Sequence, residues 1–169
     1  MINLMILFVL LKRDLTMYAI KKHIQDLFAP FTNPSFGALK PALTKLEAMG
    51  LLSTSKMMSE GGKLSVFYSV TNEGQKELKK LLVSKMSLNP IQFISDAKIK
   101  LCCSSFLGTD DRKMMYEEIK SKAYLYVAKA KELANNEYSE PDFYQKLVLD
   151  NTICEYNNLI SLIEGFEKA

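Results

Sequence analysis

The sequence is poor in the residues that build metal sites and disulfide frameworks. It has three cysteines in 169 residues, two of them adjacent as Cys102 and Cys103, and no pair shows the C-x-x-C spacing. Zinc sites and disulfide scaffolds need regularly spaced cysteines, so neither is indicated, and we expect no metal and no cofactor. Three free thiols without a secretion signal are typical of the reducing cytoplasm.

The sequence also lacks the residues of common catalytic sites. His23, the one histidine, lies in a lysine-flanked segment. No nucleophile–base pair, glycine-rich phosphate loop or carboxylate cluster with ligand spacing is present. We therefore expect no catalytic residues and no enzymatic activity, and we interpret His23 as a surface residue or a phosphate contact.

No apolar run is long enough for a membrane span. The longest, MINLMILFVLL at residues 1–11, is followed at once by the charged residues KRD. A transmembrane helix needs about 20 apolar residues, and a signal peptide begins with basic residues. The run instead predicts a buried helix, or one packed against a second subunit.

Charge divides the chain into two parts. Residues 1–86 hold 12 lysines and arginines against 6 acidic residues, whereas residues 87–169 hold 10 against 13. The first part therefore carries +6 and the second −3, which suggests two modules, the first of them able to meet a polyanion. With Pro90 at the boundary, we expect domains at residues 1–86 and 91–169.

The periodicity of the first module predicts three helices and a β-hairpin. Apolar spacings of three and four place helices at about 2–12, 17–28 and 35–49, the last with Leu39, Leu43, Leu46 and Met49 on one face. The stretches LLSTSKMM and LSVFYSV then alternate as strands around Gly61-Gly62. Thr71 is placed to cap a further helix over 72–86, with Leu78, Leu81 and Leu82 inward.

Three helices followed by a hairpin describe a winged helix-turn-helix, in which the third helix enters the major groove of DNA. The segment 35–49 is then the recognition helix, and its start at Asn33-Pro34-Ser35 offers free amides to a phosphate. The hairpin contributes phosphate contacts as a wing. The candidate DNA-contacting residues are Ser35, Lys40, Thr44 and Lys45 on the helix, with Lys56 and Lys63 on the hairpin.

The sequence of the second module predicts long helices. One begins near Asp110-Asp111 and carries a near-heptad stripe from Met115 to Leu133, and another follows Pro141 with a stripe from Leu149 to Ile163. Such stripes commonly build helix–helix dimer interfaces. A hairpin of the two helices within one chain is the alternative.

The segments SFGALKPALTKLEAMGLL and GGKLSVFYSVTNEGQKEL resemble the PadR family of bacterial transcriptional regulators, as does TMYAIKKHI. The matching positions are Pro41, Leu43, Leu46, Gly50 and Leu51, then Tyr68, Thr71 and Gly74. The resemblance implies a mainly α fold with a small β-hairpin, made of an N-terminal winged helix-turn-helix and a C-terminal helical dimerisation region. It also implies a homodimeric repressor on an inverted-repeat operator, released by a small, often aromatic, molecule near the dimer interface.

Two departures from the family pattern bear on these expectations. Lys40 stands where the family usually has a tyrosine near DNA, so the sequence preference differs. The matching residue Pro41 lies next to it and predicts a kink or a late helix start. The chain has no tryptophan, so a drug-stacking tryptophan pair is not expected. The tyrosines available for a pocket, or alternatively for the core or an interface, are Tyr116, Tyr124, Tyr126, Tyr144 and Tyr156.

A second hypothesis is a winged-helix module that binds proteins and makes no DNA contact. The +6 charge of residues 1–86 favours a polyanionic partner over this alternative.

Overall fold

The computed structural model describes residues 1–58, 62, 64–136, 138 and 140–168, which form a mainly helical fold with one small antiparallel sheet. The helices are α1 (Ile2–Val9), α2 (Met17–Phe28), α3 (Phe36–Ala48), α4 (Asn72–Val83), α5 (Pro90–Cys102), α6 (Thr109–Ala134) and α7 (Phe143–Lys168), with one 3-10 turn, η1 (Ser104–Phe106). The strands are β1 (Leu15–Thr16), β2 (Leu52–Met58) and β3 (Leu64–Val70).

The chain divides into two compact units. The first unit holds residues 1–84 and 94–107, and the second holds residues 85–93 and 108 onward. The end of α5 joins the first unit through side-chain hydrogen bonds: the Ser95 hydroxyl donates to the Phe31 carbonyl at 2.8 Å, and Lys100 Nζ donates to the Ser84 carbonyl at 2.6 Å. The expected domains 1–86 and 91–169 stay a prediction. Residues 94–107, which the prediction gives to the second domain, belong here to the first compact unit.

The core of the first unit surrounds α1. Its residues 4–7 are at most 2% exposed, and the helix packs against α2, α3 and α4. The apolar run thus forms the expected buried helix, although the helix ends at Val9, earlier than its apolar residues suggest. Further along the chain, Leu15 and Thr16 pair with Tyr68 and Phe67, which adds a third strand to the expected hairpin.

Side-chain caps begin α2 and α3 where their hydroxyl residues suggest. Thr16 Oγ1 accepts the Ala19 amide at 3.3 Å, and Ser35 Oγ accepts the Ala38 amide at 3.2 Å. Pro41 predicted a kink or a late helix start. The Ser35 cap starts α3 well before Pro41, so the helix does not start late, and the kink stays a prediction.

The hairpin has the predicted strands. Strands β2 and β3 pair in antiparallel register from Leu52↔Val70 to Met58↔Leu64. Gly62 has a φ of +73°, as a glycine turn requires, whereas Gly61 lies outside the described residues.

At the other end of β2, Met49 is 55% exposed, so its predicted place on the buried stripe of the third helix is wrong.

A tight junction joins the end of α3, both strands of the hairpin and the start of α4. Gly50 has a φ of +70°, and its carbonyl accepts the Thr71 hydroxyl at 2.8 Å. The Thr71 amide donates to the Leu51 carbonyl at 3.1 Å, and Thr71 Oγ1 accepts the Gly74 amide at 3.1 Å. A Cβ at residue 74 would overlap the Leu51 carbonyl oxygen, so only glycine fits there.

The second unit is built on α6 and α7, which pack along each other. The buried residues are Met115, Tyr116, Ile119, Ala123, Tyr126, Val127, Ala130, Tyr156, Leu159, Ile160 and Ile163. Phe93, Tyr126 and Tyr156 form an aromatic cluster with ring centroids 5.2–6.0 Å apart, and the Tyr126 hydroxyl donates to the Leu88 carbonyl at 2.9 Å. The α6–α7 hairpin of one chain therefore forms.

The junction predicts a strong effect of a single methyl group. Gly74→Ala should lower the free energy of unfolding by about 1–3 kcal/mol, because the new Cβ displaces backbone. Gly165→Ala is the matched control. Its added Cβ meets no atom within 4 Å in α7, so it should raise stability by about 0.5–1 kcal/mol. Urea unfolding followed by circular dichroism measures both changes, and equal effects would contradict the steric explanation.

Candidate nucleic-acid interface

The sequence-predicted residues of α3 lie on its exposed side. Lys40, Thr44 and Lys45 are all exposed. The opposite side holds three leucines that are at most 1% exposed: Leu39, Leu43 and Leu46. The leucine spacing thus orients the helix so that its two lysines and its threonine face outward.

Ser35 has a structural role at the start of this helix. Its Oγ and its carbonyl oxygen both accept the Ala38 amide, at 3.2 and 3.1 Å. The expectation that the helix start leaves its amides free therefore fails for Ala38, whose hydrogen is taken by the cap. The Ser35 hydroxyl still has its own hydrogen to donate.

The hydroxyl of Thr44 already makes a hydrogen bond within α3. Its hydroxyl donates to the Lys40 carbonyl one turn earlier, at 3.2 Å. A hydroxyl that has given its hydrogen to the backbone presents lone pairs and a methyl group to the outside. Thr44 is thus suited to accept a hydrogen bond or to contact an apolar group, and it is poorly suited to donate to a phosphate.

The hairpin carries less positive charge than a basic wing would suggest. Within the two strands, Lys56 is the only charged residue, exposed and paired across the sheet with Val66. Met57, Met58, Leu64 and Val66 are 40–67% exposed, so the outer part of the strands is largely apolar. The other predicted wing contact, Lys63, lies outside the described residues.

A carboxylate ties the base of the hairpin to α3. Thr54 Oγ1 donates to Glu47 Oε1 at 2.8 Å. Partial burial, together with the negative charge of Glu47, raises the pKa of Tyr68 above its ordinary value. Glu47 therefore places a negative charge in the last turn of α3, the turn that also carries the positive charge of Lys45.

An aromatic and cationic cluster extends the surface at the start of α3. The ring of Tyr18, which is 72% exposed, stacks on that of Phe36 with centroids 6.2 Å apart, and Lys21 Nζ lies 5.0 Å from the centroid of the Phe36 ring. Sequence reasoning missed this cluster. The signal that the sequence offered was an aromatic residue in the first turn of α2 and another in the first turn of α3, both outside the buried apolar face of their helix. Such a cluster offers a cation beside flat apolar surface.

The tyrosines proposed for a pocket do not share one environment. Tyr116, Tyr126 and Tyr156 are buried in the second unit, whereas Tyr124 and Tyr144 are 52% and 75% exposed. Three of the five therefore belong to the core, as the alternative interpretation had it.

The cysteines also differ from one another. Cys103 is buried, and burial raises the pKa of its thiol well above the ordinary value, whereas Cys102 and Cys154 are exposed. Among the described residues, no group of three His, Cys, Asp or Glu side chains is arranged to hold a metal ion. In the same residues, no helix combines the length and the apolarity that crossing a membrane requires.

The model of the transcriptional regulator PadR-like family matches residues 6–80. No curated protein sequence matches the chain.

Several solved structures match this chain in part or along most of its length. The protein smu.1604c of Streptococcus mutans UA159 is 22% identical, with 99% of this chain and 98% of that chain covered and a TM-score of 0.47. Bacillus subtilis PadR in complex with operator DNA is 20% identical, with 97% and 95% covered and a TM-score of 0.48. A PadR family regulator from Clostridium difficile R20291 is 28% identical, with 46% and 79% covered and a TM-score of 0.41.

The cap at Ser35 gives a stability prediction. Ser35→Ala removes the acceptor of the Ala38 amide and should lower the free energy of unfolding by about 0.5–2 kcal/mol. Ser35→Asp retains a capping oxygen and should unfold close to the wild-type urea concentration. If both variants unfold like the wild type, the hydrogen bond does not stabilise α3.

Proposed function

Because residues 6–80 belong to the PadR-like family of transcriptional regulators, we propose that this protein represses transcription as a homodimer on an inverted-repeat operator, and that a small-molecule effector releases it. The observation that carries the DNA contact is the exposed side of α3. There Lys40, Thr44 and Lys45 face outward from a helix whose leucines are buried.

The proposed contacts divide by chemistry. Lysines act as point charges toward phosphates, and Lys40 also reaches a guanine edge from the middle of α3. Thr44, which keeps its lone pairs and its methyl group outward, contacts base edges. Lys56 and Lys63 contact phosphates from the hairpin, and the Ser35 hydroxyl donates to a phosphate at the helix start.

The cluster at the start of α2 and α3 adds a further contact. Lys21 supplies a positive charge, and the stacked rings of Tyr18 and Phe36 supply apolar surface for a deoxyribose or a thymine methyl group. Because stacking holds the two rings together, less side-chain entropy is lost when they meet DNA.

The second unit supports the homodimer. Although α6 and α7 already pack together, the first turns of α7 leave apolar side chains exposed by 58–75%: Phe143, Tyr144, Leu147 and Val148. A contiguous exposed apolar face is typical of an interface. A second copy of the same helix, related by a twofold axis, would bury it and would set the spacing of the two half-sites.

The DNA contact is tested with lysine variants on duplexes from the gene's own upstream region. Lys56→Ala should weaken binding to all duplexes and reduce the slope of log K against log salt by about 0.9, since one phosphate contact is lost. Lys63→Ala should act in the same way. Lys40→Ala should also reduce the preference for the operator over random duplex. Fluorescence anisotropy at several salt concentrations measures these changes.

The matched control is Lys129→Ala, an exposed lysine of α6, which should change neither affinity nor slope. Ser35→Asp separates folding from binding, because it keeps the helix cap but places a carboxylate near a phosphate. If the wild type binds the upstream region no more tightly than random duplex at physiological salt, the protein-binding alternative is favoured.

The homodimer is tested by placing charge on the exposed apolar face of α7. Val148→Glu and Leu147→Glu should each shift the chain from dimer to monomer in sedimentation equilibrium, because a buried unpaired carboxylate is costly. The neighbouring Lys146→Glu, at a position already charged, should leave the dimer intact. A wild-type monomer at micromolar concentration would contradict the proposal.

A further inference from the structure

The hairpin carries an apolar surface that the lysine contacts proposed above do not use. In the outer half of its two strands, four apolar side chains are exposed by 40–67%: Met57, Met58, Leu64 and Val66. Single apolar residues are common on protein surfaces, whereas a group of neighbouring ones marks a site of contact with a partner. The outer hairpin is therefore a candidate contact site in its own right.

Three of these four side chains lie on one face of the hairpin. The register pairs Met58 with Leu64 and Lys56 with Val66. Successive side chains of a strand point to opposite faces, so residues two apart share a face, and directly paired residues do as well. One face of the outer hairpin thus holds three apolar side chains and one lysine. We call these four residues the apolar face.

The opposite face of the hairpin has a different character. There Met57 pairs with Ser65, and Ser55 pairs with Phe67. Phe67 is half-buried and also pairs with Thr16 of β1. This face therefore mixes hydroxyl groups with a ring that belongs to the middle of the sheet, and it leaves Met57 as an isolated apolar side chain.

The apolar face continues the candidate nucleic-acid interface. Thr54 lies on the same face, two residues before Lys56, and its hydroxyl donates to Glu47 in the last turn of α3 at 2.8 Å. The four residues of strand from Thr54 to Met58 span about 13 Å. The apolar face therefore begins beside the end of α3 and extends outward from it.

The charge of the hairpin favours a polyanion as the partner of the apolar face. The two strands contain no aspartate or glutamate, and Lys56 lies among the apolar side chains of the face. A purely apolar partner would leave this lysine without a counter-charge. The minor groove of DNA offers both kinds of surface, because phosphates line its edges while sugars and base edges form its interior.

We propose that the apolar face enters the DNA minor groove as a wedge. Met58 and Leu64 insert at a base step and partly unstack it, and Lys56 contacts a flanking phosphate. Proteins that bend DNA from the minor groove use apolar side chains of this kind, methionine and leucine among them, and kink the duplex by about 20–90°. This inference rests on the proposed DNA-binding function and adds to it a kink at a defined base step.

A wedge makes the deformability of that step a determinant of affinity. Pyrimidine–purine steps such as TA are easily unstacked, whereas A-tracts are stiff. The apolar side chains make no directional hydrogen bonds, so the face distinguishes sequences by how readily they deform. An operator with TA at the kinked step should therefore bind about tenfold more tightly than one with AA there.

The bend is measured by energy transfer between dyes at the two ends of a duplex from the gene's own upstream region, at saturating protein. The wild type should bend the duplex by at least about 20°. The fluorescence of 2-aminopurine, scanned along the duplex, should rise at one step in each half-site, because the base is unstacked there. A straight duplex without such a rise would overturn the proposal.

Variants assign the kink to the apolar face. The double variant Met58→Gln/Leu64→Gln should abolish the rise in 2-aminopurine fluorescence, reduce the bend and remove the preference for TA. Because the two side chains are 67% and 61% exposed, this variant should unfold at the wild-type urea concentration. Met58→Leu keeps an apolar side chain and should keep the kink. An unchanged kink in the double variant would overturn the assignment.

Two exposed methionines provide matched controls. Met57 lies on the opposite face of the same hairpin, and Met114, 61% exposed, lies on α6 in the second unit. Met57→Gln and Met114→Gln should both keep the bend and the fluorescence rise. Loss of the kink in Met57→Gln, to the same extent as in the double variant, would overturn the placement of the wedge on the apolar face.

Salt dependence separates the wedge from the phosphate contacts. The double variant should weaken operator binding about tenfold and leave the slope of log K against log salt unchanged, because no charge is removed. Lys56→Ala should reduce that slope. If the double variant reduced the slope as much as Lys56→Ala does, the apolar side chains would act only by placing the lysine, which would overturn the wedge.

Failure of the wedge and failure of the proposed function give different results. Operator-specific binding to a straight duplex overturns the wedge and leaves the proposed function in place. Absence of preference for any upstream duplex counts against both. A double variant that no longer dimerises in sedimentation equilibrium would assign the apolar face to a contact between copies of this chain and would overturn the proposal.

Discussion

The geometry of the first unit depends on the close approach of two backbone segments at Leu51 and Gly74. No side chain fits between the Leu51 carbonyl and residue 74, and Thr71 joins the segments by bonding to the Gly50 carbonyl and the Gly74 amide. This junction fixes where α3 ends, where β2 begins and where α4 leaves β3. The exposed lysines of α3 and Lys56 of the hairpin keep one arrangement because their elements meet there.

The same junction explains why the first unit could be predicted from sequence. A glycine at positive φ, a threonine cap and a glycine against backbone are local requirements that few residue types satisfy, so they leave a readable pattern. The helices of the first unit and the hairpin were likewise predictable, because their apolar residues repeat with one period and hydroxyl caps mark the starts of α2, α3 and α4.

Features that depend on contacts between distant residues could not be predicted in this way. A strand of two residues, Leu15–Thr16, has no periodicity and exists only because β3 has a free edge. Pro41 predicted a kink or a late helix start, yet the Ser35 cap begins α3 before Pro41 is reached. The stack of Tyr18 on Phe36 requires α2 and α3 to be placed first.

The residue types on the candidate interface constrain how it reads sequence. The chain has two arginines, Arg13 and Arg112, and neither lies on α3 or the hairpin, so the bidentate arginine–guanine contact is missing there. Lysines bind phosphates with little discrimination. On the proposed function, base preference therefore falls to Lys40, to Thr44 with its hydroxyl hydrogen already bonded, and to the rings of Tyr18 and Phe36. Lys40 donates to a guanine edge as an arginine would, but singly, whereas the acceptor and methyl group of Thr44 and the flat rings favour base amino groups and thymine methyls.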